Sequence, residues 1–175
     1  PTRIKLDLLD FTDSDIFSHW KRVMENKTGR QVIDIEIKAL NLLKNYISKN
    51  FVKVVNLLLK NKGKIIVSGI GKSGHIASKI ASTLSSVGSP SFYIHPSEAN
   101  HGDLGMLEKK DVVILISNSG ETSELINLIL YCKKLGIPII SITSELDSTL
   151  SRESNFNLLI PKNIEACPLE LAPTS

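Results

Sequence analysis

Apolar residues in this chain follow two different rhythms, and the change comes near Gly63. Before it, Ile33, Ile37, Leu40 and Ile47 recur at helical spacing over Gln31 to Asn50, and Phe51, Val54, Val55, Leu58 and Leu59 do so in a second segment. The spacing predicts two amphipathic helices whose stripes cover a sheet or pair with another subunit. Residues 1–30 carry no clear rhythm: Asp10, Asp13 and Asp15 are followed by Trp20, Lys21, Arg22 and Gly29. They read as an N-terminal extension with one short helix and a loose connection.

After Gly63 short β-rich runs alternate with helical ones. Lys64–Ser68, Ser91–Ile94, Val112–Ile116, Pro138–Ile142 and Phe156–Ile160 read as strands, with helices at Ser73–Ser86 and Glu121–Leu135 between them. The run Val112-Val113-Ile114-Leu115-Ile116 is apolar at every position, as a strand buried on both faces must be. The expected fold is therefore α/β, with a central five-stranded parallel sheet between two helical layers, preceded by N-terminal helices. In such sheets ligands bind beyond the carboxyl ends of the strands, so functional residues should follow each strand directly.

Composition narrows the function classes. The 175 residues suit one domain, and 42% hydrophobic with 22% charged residues excludes disorder as the main state. The net charge of +3 comes from 21 basic and 18 acidic residues scattered along the chain, which argues against nucleic acid as a partner. Cys132 and Cys167 are too few for a disulfide framework or zinc cluster, so a reduced cytoplasm is the expected setting. No apolar run approaches the ~18 residues of a membrane span, and neither a span nor a secretory leader is expected. The chain starts at Pro1 and stops at Ser175 after an irregular stretch, which reads as a piece of something longer.

Two post-strand loops carry candidate chemistry. The first is Gly69-Ile70-Gly71-Lys72-Ser73-Gly74, a G-x-G-x-x-G pattern opening a helix. A dinucleotide site also needs an acid at the end of the next strand, which here ends Tyr93-Ile94-His95-Pro96; a P-loop needs glycine at position 66, which is Ile. What remains is a tight turn or a general anion site of backbone N–H groups and one lysine. The second loop, Ser117-Asn118-Ser119-Gly120-Glu121-Thr122, places three hydroxyls where a helix begins. One hydroxyl suffices for an N-cap, so Ser117, Ser119 and Thr122 point to phosphate. His95 and His101 flank Glu98, with Asp103 nearby, but this spacing matches no zinc pattern and no metal is expected. His19 and His75 read as surface or packing residues.

Together with His95-Pro96 through His101-Gly102-Asp103-Leu104-Gly105, and Glu165-Ala166-Cys167-Pro168 through Leu171-Ala172-Pro173-Thr174-Ser175, these loops resemble the sugar isomerase (SIS) domain of D-arabinose 5-phosphate isomerases. The resemblance runs from about Ile35 to Ser175 and assigns residues 31–175 to that domain, a flavodoxin-like three-layer sandwich. It implies reversible conversion of D-ribulose 5-phosphate to D-arabinose 5-phosphate, feeding 3-deoxy-D-manno-octulosonate (KDO) for lipopolysaccharide or capsule. The family's catalytic residues fall on Lys72, Glu124, Glu165 and His101, and its phosphate loops on Gly71, Ser73, Ser117, Ser119 and Thr122. Family members also use a later histidine in a Ser-His-Pro-Gly context and often carry CBS repeats, both beyond Ser175. Glu170 departs from the family's usual glycine, and residues 1–30 have no recognised counterpart.

The chemistry agrees with that implication. Aldose–ketose interconversion moves a proton between adjacent carbons through an enediol while an electrophile steadies the oxyanion, and no redox cofactor is needed. Lys72 suits either the phosphate or the oxyanion; Glu165 is the favoured base, because a helix macrodipole at Glu124 would weaken that carboxylate as a base. A non-catalytic phosphosugar sensor is the alternative, since SIS domains also occur in transcriptional regulators, although residues 1–60 show no basic DNA-binding helix pair. A dinucleotide oxidoreductase rests on glycine spacing alone. The resemblance further implies a homo-oligomer, a dimer or tetramer, with sugar phosphate as the small-molecule partner.

Overall fold

The computed structural model describes residues 26–99, 101–162 and 166. Two compact units are distinguished, one of residues 41–163 and one combining residues 1–40 with 164–175. In the latter the structure describes Ala166 and most of helix α1 (Asn26–Leu43), on which Ile33, Ile37 and Leu40 are exposed. The helix begins before Gln31 and continues through Gly29, where the sequence suggests a loose connection. Residues 1–25, and with them the expected short helix and His19, lie outside the described residues.

The larger unit begins with the end of α1, a 3-10 turn at Lys44–Tyr46, and helix α2 (Lys49–Lys60). The boundary between helices lies at Ile47-Ser48 instead of Asn50-Phe51. Ser48 has extended backbone and its hydroxyl accepts the Asn50 N–H at 3.2 Å, an N-cap of the kind contributing about 1 kcal/mol.

The sheet follows with β1 (Ile65–Ser68), β2 (Ser91–Ile94), β3 (Val112–Ile116), β4 (Ile139–Thr143) and β5 (Phe156–Leu159). Its spatial order is β2-β1-β3-β4-β5, and every pairing is parallel. β4 starts one residue after Pro138, which lacks the N–H a ladder needs. Between the strands lie helices α3 (Lys72–Ser86), α4 (Pro96–Ala99), α5 (Ile126–Leu135) and α6 (Thr149–Glu153), with 3-10 turns at Asp103–Met106 and Ser123–Leu125. The expected helix Glu121–Leu135 is thus a 3-10 turn followed by an α-helix that opens at Ile126.

Helices cover both faces, as strands buried on both sides require. On one, Val54 of α2 and Ala77 and Ala81 of α3 pack against Ile65, Val67, Val112, Ile114 and Ile140. On the other, Leu128, Ile129 and Cys132 of α5, Ala99 of α4 and Leu150 of α6 meet Ile66, Val113, Leu115 and Ile139. Burial pushes the Cys132 thiol up to about 12, leaving it an unreactive packing group. Among the described residues no helix is long and apolar enough to cross a membrane.

At the amino edge of the sheet Asp111 is fully buried and holds two backbone donors: Oδ1 accepts the Lys64 N–H and Oδ2 the Glu108 N–H, each at 2.8 Å. The Lys64 side chain reaches Glu108 at 2.9 Å and the Met106 carbonyl at 3.0 Å. Hydrogen bonding to Lys64, reinforced by Lys110, lowers the Glu108 carboxyl from its ordinary value, and hydrogen bonding to Glu108 raises Lys64. A lowered carboxyl stabilises the fold above its unfolded pKa of about 4.3 and loses that contribution as pH falls through the folded value. The stability difference between the wild type and Glu108→Gln should accordingly be constant near neutrality and shrink below about pH 4, as read by thermal melts across pH.

Candidate active site

Strand order reverses direction between β1 and β3: the chain leaves β1 towards β2, then crosses back to β3 and continues outward. The loops after β1 and β3 consequently sit side by side at the carboxyl edge, with a crevice between them. Both sequence-predicted anion loops occupy this place. The Ser68 hydroxyl donates to the Ile94 carbonyl at 2.7 Å and ties the ends of β1 and β2 together just below it.

In the β1 loop each glycine answers a different demand. Gly71 has φ +59°, a conformation that costs other residues strain. A Cβ on Gly69 would come to 3.0 Å from the Ile116 carbonyl, and one on Gly74 to 2.8 Å from the Gly69 carbonyl and 2.9 Å from the Tyr93 hydroxyl. That hydroxyl donates to the Gly69 carbonyl at 2.9 Å, and burial raises its pKa. The turn thus packs α3 close against the sheet, and the helix opens at Lys72 and Ser73 without a side-chain cap. Its first N–H groups have no intrahelical acceptor and face outward with the positive end of the dipole. Lys72 is exposed at that end.

The β3 loop is organised by Ser117. Buried, its hydroxyl pairs with the Thr122 hydroxyl at 2.7 Å and accepts the Gly120 N–H at 3.0 Å. Ser117 and Thr122 therefore shape the loop in this structure, while Asn118 and Ser119 are exposed at its tip. The Ser119 hydroxyl accepts the Glu121 N–H at 3.3 Å.

Glu124 lies in the 3-10 turn after this loop, exposed, with Oε2 accepting the Ser123 hydroxyl at 3.0 Å. The start of α5 two residues later removes the premise that Glu124 sits in the helix's first turn. His101 is exposed beyond α4, which begins just after β2, and its N–H donates to the Glu98 carbonyl at 2.9 Å. Lys72, Ser73, Ser117, Ser119 and Thr122 thus fall on the two loops of the crevice, and His101 follows the neighbouring strand at the same edge. Glu165, like Cys167 and Glu170, lies outside the described residues.

Two features escape sequence reasoning. The Ser97 N–H donates to His95 Nδ1 at 3.2 Å, which leaves the proton of a neutral imidazole on Nε2. Ser148, Thr143 and Ser144 brace the β3 loop from the β4 side; only the Ser148 cap of α6, accepting the Ser151 N–H at 3.3 Å, leaves a local sequence signal. Among the described residues no three His, Cys, Asp or Glu side chains converge as a metal site.

Arabinose 5-phosphate isomerase KdsD of Pseudomonas aeruginosa is 48% identical over 148 residues, 85% of this chain and 45% of that protein. The KdsD of Francisella tularensis is 51% identical over 144 residues, 81% of this chain and 44% of its own length. The chain thus spans under half the length of these curated relatives. Among solved structures, c3406 of E. coli CFT073 in complex with arabinose 5-phosphate superposes with TM-score 0.74 at 38% identity, covering 93% of this chain and 82% of that one. The SIS domain family matches residues 58–175, from the end of α2 through both loops of the crevice, and the chain belongs to that family.

Proposed function

We propose that this chain carries the isomerase centre of an arabinose 5-phosphate isomerase, which interconverts D-ribulose 5-phosphate and D-arabinose 5-phosphate. The observation that carries the reading is the meeting of two candidate anion loops at the β1/β3 crevice in a chain about half identical to KdsD proteins. The uncapped start of α3 with Lys72 and Ser73, and the Ser119 tip opposite, supply donors for a phosphate. In the aldose-to-ketose direction a carboxylate removes the proton from C2, the carbonyl oxygen gathers charge as the enediol forms, and the proton returns to C1. Glu165 serves as this base. Glu124, exposed in the 3-10 turn after the β3 loop, is the other candidate for this step. Lys72 neutralises the phosphate or the oxyanion, and His101 assists ring opening or polarises the carbonyl.

The same reading places the protein in the cytoplasm, supplying KDO synthesis for lipopolysaccharide or capsule, and makes it a homo-oligomer. Exposed Ile47, Val52 and Leu59 on and beside α2 support association, because an isolated subunit leaves that apolar surface in water. Incubation of the intact protein with ribulose 5-phosphate should yield arabinose 5-phosphate, and Glu165→Gln should remove the activity. Sugar-phosphate binding without interconversion would replace the isomerase by a sensor; full turnover in Glu165→Gln would move the base elsewhere.

A further inference from the structure

We propose that Glu121 is a positioning residue which clips the β3 loop to the start of α6 and thereby aims the loop's backbone donor at the substrate phosphate. The proposal rests on the isomerase reading above and assigns a task to a carboxylate that the reading leaves without one. A carboxylate beside an anion loop opposes a phosphate by Coulomb repulsion, so its presence there calls for a compensating task.

The task is visible in the bonds between the loop and the β4–α6 segment. Glu121 Oε1 accepts the Thr149 N–H at 2.7 Å, and the adjacent Gly120 carbonyl accepts the Leu150 N–H at 3.0 Å. Two residues earlier the Asn118 carbonyl accepts the Ser144 N–H at 3.0 Å, the Ser144 hydroxyl at 2.9 Å and the Thr143 hydroxyl at 3.0 Å. The loop's carbonyls at 118 and 120 are therefore turned towards β4 and α6. In a trans peptide the N–H points opposite to the C=O of the same unit. The Ser119 N–H, which shares its peptide with the Asn118 carbonyl, is consequently directed away from β4, towards the β1 side and the crevice. It has no protein partner among the described residues.

Of the five bonds, the one from Glu121 is the only one made by a loop side chain. Hydrogen bonding from Thr149, with the charge of Arg152 adding to it, lowers the Glu121 carboxyl from its ordinary value, so it is an ionised acceptor at neutral pH. Beside it, Gly120 lies flush against Ser148, so this part of the loop is packed on the segment that the Glu121 bond reaches.

The test is steady-state kinetics of the intact protein on ribulose 5-phosphate with Glu121→Ala and Glu121→Gln. Loss of the clip should raise KM about tenfold in the alanine variant with kcat within about twofold, the size expected for one charge-assisted bond. Glutamine keeps a carbonyl oxygen for the Thr149 N–H, a neutral acceptor roughly half as strong as a charged one, and should bring KM back to within about threefold of the wild type. An unchanged KM in Glu121→Ala, a loss confined to kcat, or a glutamine variant as impaired as alanine would each overturn the proposal. If the alanine variant does not fold, Glu121→Asp takes its place, since its shorter carboxylate falls short of Thr149; a wild-type KM there also overturns it. Calorimetry with arabinose 5-phosphate separates the two readings. Binding by the wild type without turnover ends the isomerase reading while the Kd of Glu121→Ala still decides the clip, and no binding by the wild type overturns both.

Discussion

Gly120→Ala should destabilise the fold by roughly 2–4 kcal/mol and empty the β3 loop of function. Two costs add. At φ +66° an alanine is held in the left-handed region, a penalty on the order of 1 kcal/mol. Its methyl would also fall inside the van der Waals envelope of Ser148 Cβ and Oγ and stand 3.1 Å from Thr143 Oγ1. Overpacking of this kind costs about 1–3 kcal/mol, because these neighbours are part of the sheet end and the α6 cap and do not yield freely. Against the roughly 5–15 kcal/mol by which domains are stable, the sum is large. Chemical denaturation should show the loss, and a double-mutant cycle isolates its cause. Ser148→Gly clears both clashing atoms at a cost of a few tenths of a kcal/mol from the weakened cap, so Gly120→Ala should be less damaging in that background. Equal damage in both backgrounds would assign the effect to φ alone.

Lys72→Met is expected to lower kcat/KM of the intact protein about 10²–10³-fold on ribulose 5-phosphate, the range seen when one preorganised donor to developing charge is removed. The side chain stands exposed at the uncapped start of α3, so methionine preserves the stem and the helix and removes only the charge. Thermal stability should be nearly unchanged, which separates this variant from Gly120→Ala. The kinetics also distinguish the two tasks proposed for the lysine. A rise in KM alone marks neutralisation of the phosphate, equally bound in ground and transition states; a fall in kcat marks the oxyanion, whose charge exists only during reaction. Activity within a few fold of the wild type would remove Lys72 from the site.

How far the sequence reaches is seen best at β3 and just beyond it. Val112–Ile116 is legible because burial on both faces leaves no polar position, and the strand lies where that run predicts. The segment after it is not, because Leu125, Leu128, Ile129 and Cys132 keep helical spacing across the junction of a 3-10 turn and an α-helix. Both conformations bury the same face there, and periodicity cannot separate them. α4 and α6 are too short to establish any period, although Ser148 marks the start of α6 as a cap. In the site, glycine and hydroxyl residues reveal where the loops are. They do not reveal that Ser117 faces Thr122, or that Glu121 meets Thr149 across 28 positions, since such contacts depend on the folded chain and leave no local pattern.

The clasp at the amino edge of the sheet bears on the order in which the protein can assemble. The Lys64 N–H and Asp111 are 47 positions apart, and β1 pairs with β2 on one side and with β3 on the other. As a nascent chain leaves the ribosome, β1 and β2 emerge together with α3, but the other edge of β1 stays open until Asp111 and Val112–Ile116 have followed. Ile66, fully buried in the finished sheet, belongs to the face whose Val113, Leu115, Leu128 and Ile139 all come later in the chain. Asp111 arrives immediately ahead of β3 and engages the residue just before β1, so closing the clasp also sets the register of the central strand pair. The central pair of the sheet can therefore close only once that one aspartate has been delivered.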